Sequence, residues 1–96
     1  MPTLEQIKKK RSEIKKISVL HGVHNLRVFG SVARGTATPS SDLDLLVSLE
    51  KNRSLLDLGG FMMDLQSLLG CKVDVVTEKG LHWYLKETIL KEAKPL

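Results

Sequence analysis

Apolar positions along the chain change their spacing several times, and those changes outline its elements. Leu4, Ile7, Ile14 and Ile17 recur at helical spacing with cations between them, which predicts an amphipathic helix. Thr3 and Gln6 have the spacing of a capping box at its start, and Gly22 is a suitable stop. Leu26 to Phe29 read as a short apolar strand, followed by Gly30-Ser31 and a short helix over Val32 to Arg34. Thr36 to Ser41, with Pro39, read as loop, and Leu43 to Leu49 as a second strand. Leu58, Met62, Leu65 and Leu69 share one face of a helix that begins near Ser54 or Asp57 and stops at Gly70. Gly59-Gly60 works against that helix, because a glycine costs about 1 kcal/mol relative to alanine in a helix interior. Val73 to Thr77 read as a third strand, and Leu81 onward as a final helix ending before Pro95. The expectation is an α/β fold, a small mixed β-sheet of about three strands flanked by helices.

Length and composition narrow this further. A chain of 96 residues suits one domain, 1–96, with 42% hydrophobic and 27% charged residues, ordinary values for a globular protein. No apolar run approaches the length of a membrane span, and the start lacks the basic-then-apolar pattern of a signal peptide. Cys71 is the only cysteine, so it has no internal disulfide partner and reads as a small core residue rather than a nucleophile. These features together predict a cytoplasmic protein. The formal net charge of +4 is concentrated in Lys8, Lys9, Lys10, Arg11, Lys15 and Lys16. A charge run on a helix is most often a solvated face, and direct nucleic-acid binding is not expected from it. His21, His24 and His82 do not have zinc-ligand spacing. His21 and His24 read as cap or loop residues.

Candidate chemistry lies where the strands end. Gly30 lets a ligand approach the main chain, and Ser31 adds a hydroxyl where a short helix begins. Arg34 could add a guanidinium suited to phosphate, pair with an acid, or simply be exposed. Strand alternation turns Asp42 and Asp44 to one side while Leu43, Leu45 and Val47 turn to the other. Paired carboxylates of this kind offer the hard oxygens that Mg²⁺ takes, with substrate phosphates completing its shell. Asp74 interrupts a β-branched run. It reads as an edge-strand residue facing water, as the partner of a lysine, or as a third carboxylate beside the other two.

Gly30-Ser31, the spacing of ten residues to Asp42-x-Asp44, and Val73-Asp74-Val75 resemble the DNA polymerase beta-type nucleotidyltransferase superfamily. The length and arrangement look like its minimal nucleotidyltransferases, the antitoxins of HEPN/MNT toxin–antitoxin pairs. Tyr84-Leu85 and Ile89 to Ala93 look like that group's terminal helix, and Trp83 departs from the proline expected there. The resemblance implies a polymerase-beta-like core in which Gly30 and Ser31 hold the β- and γ-phosphates of ATP. Arg34 would be a further phosphate contact. Asp42, Asp44 and Asp74 would bind two Mg²⁺ ions around the reacting α-phosphorus. It also implies an acceptor: AMP would pass to a tyrosine hydroxyl of a partner HEPN-domain RNase toxin. Two alternatives stand beside it, a non-catalytic antitoxin acting by binding alone and a nucleotidyltransferase for a small molecule such as an antibiotic.

Overall fold

The computed structural model describes residues 1–96. Its first helix starts as the spacing predicts: Gln6 N–H donates to Thr3 Oγ1 at 3.2 Å, and Thr3 N–H donates to Gln6 Oε1 at 2.9 Å. The single helix expected there is two, α1 (Leu4–Lys9) and α2 (Arg11–Leu20). They meet at Lys10, whose ψ of 13° leaves the helical range and whose Nζ donates to Leu68 O at 3.2 Å. That tertiary contact holds the bend against a periodicity that runs through it. Ile7 and Ile14 nevertheless both reach the core.

Four strands form one sheet in the order β3-β2-β1-β4, from β1 (Val23–Phe29), β2 (Leu43–Leu49), β3 (Val73–Thr77) and β4 (Lys94–Pro95). β1 runs antiparallel to β2 and β4, whereas β2 and β3 are parallel. β1 begins three residues before its predicted start. An irregularity between His24 and Arg27, with Asn25 at φ 53°, interrupts its alternation and hides it from a periodicity reading. β4 is the strand beyond the three expected. Lys-Pro has no strand signature, and proline is tolerated at a sheet edge because no N–H is needed on its outer side.

A parallel pair requires a crossover. Here it is α4 (Leu55–Leu69), capped by Ser54 and Asp57 and ended by Gly70 in the left-handed conformation. Ser54 N–H donates to Asp57 Oδ2 at 2.9 Å, so the earlier of the two predicted starts is the true one. Gly60 has a packing reason: a Cβ there would lie 2.8 Å from Cε1 of His21. One face of the sheet, with Val23, Val28, Leu43, Leu45, Val47 and Val73, is buried against Ile7, Ile14, Phe61 and Leu65. A short α3 (Gly30–Arg34) and a terminal α5 (Trp83–Glu92) complete the chain. No helix is long and apolar enough to cross a membrane.

Candidate active site

Strand register assembles the site. Phe29 of β1 lies opposite Asp44 of β2, and Asp44 lies beside Asp74 of β3, so one row across the sheet carries both carboxylates. Asp42 stands two residues before Asp44, at the entry to β2. All three belong to the face opposite the packed core, because Leu43, Leu45 and Val73 point inward. β3 is an edge strand and Asp74 is exposed, so its edge-strand and third-carboxylate readings hold at once. Asp42 is exposed as well, and Asp44 is half-buried between them.

None of the three carboxylates joins an ion pair. Burial pushes the Asp44 carboxyl above the usual carboxylate range, the charges of Asp74, Asp42 and Glu92 push the same way, and Arg34 opposes them. An anionic cluster of this kind favours a bound cation. No three side chains close around one point as a finished metal cage.

Gly30 joins the two halves of the motif. Its φ is 74°, and a Cβ on it would collide with Asp44 Oδ2 and sit 3.1 Å from Asp44 Cγ. The turn therefore brings bare backbone against the Asp44 carboxylate. Ser31 follows at the first turn of α3, half-buried, while Val32 and Ala33 anchor that helix in the core.

Arg34 pairs with Glu92 Oε1 while its side chain stays exposed. Glu92 Oε2 in turn accepts from Gly30 N–H at 2.9 Å. This hydrogen bond, with Arg34 beside it, holds the Glu92 carboxyl below its usual range against partial burial. Sequence reasoning missed Glu92, because an Arg–Glu pair spanning 58 positions leaves no local pattern.

Other singled-out residues take quieter places. Burial pushes the Cys71 thiol up, against a nucleophilic role. His21 caps the end of α2 and meets Asp64 at 2.6 Å, while the His82 ring lies 4.2 Å from that of Tyr84. Lys8, Lys9, Lys10, Arg11, Lys15 and Lys16 are all exposed, as a solvated face requires. The concavity of about 310 Å³ between α2 and the β1–β4 edge contains none of the three carboxylates. Asp42 and Asp74 are exposed on their face of the sheet, while Leu46, two residues after Asp44, is buried there.

Comparison with known proteins agrees with this geometry. The model of the nucleotidyltransferase domain family matches residues 4–96. Protein adenylyltransferase MntA of Thermococcus cleftensis is 39% identical over 96% of this chain and 94% of its own length. A candidate protein adenylyltransferase of Methanocaldococcus jannaschii is 41% identical, with 94% of each chain covered. Among solved structures, a candidate minimal nucleotidyltransferase superposes with a TM-score of 0.88 at 46% identity, covering 99% of this chain and 97% of that one. A toxin–antitoxin crystal structure with AMP-PNP shares the fold at a TM-score of 0.73 and 22% identity, covering 88% of this chain and 69% of that one. The chain belongs to the nucleotidyltransferase domain family, as a minimal nucleotidyltransferase.

Proposed function

We propose that this chain is a Mg²⁺-dependent protein adenylyltransferase that transfers AMP from ATP to a tyrosine hydroxyl of a partner HEPN-domain toxin and thereby neutralises it. The observation that carries this reading is the contact of Gly30 with Asp44, itself in register with Asp74. It brings a turn suited to phosphate against carboxylates suited to the cation that accompanies phosphate.

In this reading Gly30 and Ser31 hold the β- and γ-phosphates. Asp42 and Asp44 hold the two metal ions, and Asp74 completes the site on the acceptor side. When bound, the ions neutralise the carboxylates and stabilise the charge that develops on the attacking and leaving oxygens. The acceptor oxygen forms a bond to the α-phosphorus, the bond to the β-phosphate oxygen breaks, and pyrophosphate leaves. A carboxylate of the cluster accepts the hydroxyl proton. The exposure of Asp42 and Asp74 supports a macromolecular acceptor, because a protein tyrosine needs a site it can reach. MntA, named as a protein adenylyltransferase, supports the same class of acceptor.

Intact-mass and peptide mass spectrometry of the partner after incubation with ATP and Mg²⁺ tests the proposal. One or more AMP adducts on a tyrosine are expected. A partner that is neutralised yet carries no adduct would contradict it.

A further inference from the structure

α3 has only five residues, too few to hold its own conformation, and its N-cap residue Phe29 supplies no side-chain hydrogen bond. The C-terminal segment supplies partners at both ends instead. Glu92 Oε2 accepts from Gly30 N–H at 2.9 Å, and Lys94 Nζ donates to Ala33 O at 2.8 Å. An anion thus meets the first turn and a cation the last, the arrangement that complements the ends of a helix. The second carboxylate oxygen of Glu92 holds Arg34.

Apolar packing holds only the very end of the terminal segment, where Leu96 meets the core cluster. α5 buries no residue, and Trp83 and Tyr84 on it are exposed. Before Leu96, the segment is fixed by polar contacts and main chain: Lys94 and Pro95 pair with Val28 and Arg27, and Leu96 N–H donates to Leu26 O at 3.1 Å. A strand of two residues, Lys94–Pro95, is therefore tied directly to the turn that carries Gly30.

We propose that Glu92 and Lys94 are positioning residues that clamp α3 from its two ends and so hold Gly30, Ser31 and Arg34 in the geometry that receives the triphosphate. The inference rests on the nucleotidyl-transfer reading for what the turn binds. Glu92 acts through Gly30 and Arg34, and the packed core on the other face of the sheet does not depend on it.

Calorimetric titration of AMP-PNP with Mg²⁺, beside amide hydrogen exchange at Gly30, tests the clamp. Glu92→Ala is expected to weaken AMP-PNP binding by about tenfold and to speed Gly30 exchange by a similar factor. Glu92→Gln keeps a carbonyl oxygen for Gly30 N–H, and binding within about threefold of wild type is expected. Lys94→Met should weaken binding by roughly threefold. Thermal midpoints of all three variants should stay within about 3 °C of wild type. Wild-type affinity and wild-type Gly30 exchange in Glu92→Ala would overturn the clamp and leave the nucleotidyl-transfer reading intact. Tighter binding by Glu92→Ala would make Glu92 a competitor for the turn and overturn it too. If Glu92→Ala does not fold, a Glu92→Gln variant as weak as Arg34→Ala, with fast Gly30 exchange, would overturn the Gly30 contact as the operative one. Failure of the wild-type chain to bind AMP-PNP with Mg²⁺ would overturn the nucleotide reading, and the positioning role with it.

Discussion

A methyl group on Gly30 has nowhere to go: the left-handed φ of 74° disfavours it, and the Asp44 carboxylate fills its space. Gly30→Ala should therefore cost about 1 kcal/mol or more in urea unfolding and remove AMP-PNP binding. Asp44 gives a prediction of opposite sign. Its folded carboxyl holds a proton more tightly than in the unfolded chain, first through burial and then through Asp74 and Asp42. That preference supports the fold below the unfolded value and is lost as the pH rises through the raised folded value. At pH 7 the ionised carboxylate opposes folding, so Asp44→Asn should raise the thermal midpoint of the nucleotide-free chain by about 2 °C. The gain should vanish below about pH 4, and a lowered midpoint at pH 7 would contradict the electrostatic account. Local spacing made Gly30, Ser31, Asp42 and Asp44 legible in the sequence. Asp74 stood out as an acid in an apolar strand, and only the parallel register puts it beside Asp44. Glu92 had no signal, since its partners are distant in the chain.

β2, β3 and the capped helix ends were read correctly, and the boundaries set by distant contacts were not. Thr3 and Ser54 mark the starts of α1 and α4, and Gly70 marks the end of α4. The bend at Lys10, the early start of β1 and the whole of β4 depend on partners elsewhere in the fold. Within α4 the two glycines differ for the same reason. Nothing lies within 4 Å of a Cβ built on Gly59, whereas one on Gly60 would press on the His21 ring at 2.8 Å. Gly59→Ala should stabilise the protein by roughly 0.5–1 kcal/mol through helix propensity. Gly60→Ala should give no such gain, because the His21 contact with Asp64 must shift. Equal effects of the two substitutions in chemical denaturation would contradict this packing account.

Across the whole molecule, the sheet separates two tasks. One face packs against α1, α2 and α4 and carries the stability, while the other presents Asp42, Asp44 and Asp74 beside α3. Alternation at the start of β2 makes the separation, with Leu43 and Leu45 on one face and Asp44 on the other, and the fully buried Leu46 follows Asp44 on its own face. Stability and chemistry can then vary independently, which is why charge-removing substitutions in the carboxylate row should disable transfer without unfolding the chain. The measurement that tests the central claim most directly uses ATP labelled at the α-phosphate, the HEPN partner and Mg²⁺. Wild-type chain should place the label on the partner and neutralise it, γ-labelled ATP should leave no label, and Asp42→Asn with Asp44→Asn should abolish both label and neutralisation. Neutralisation that survives in that double variant while the label disappears would contradict the account and make the protein an antitoxin that works by binding alone.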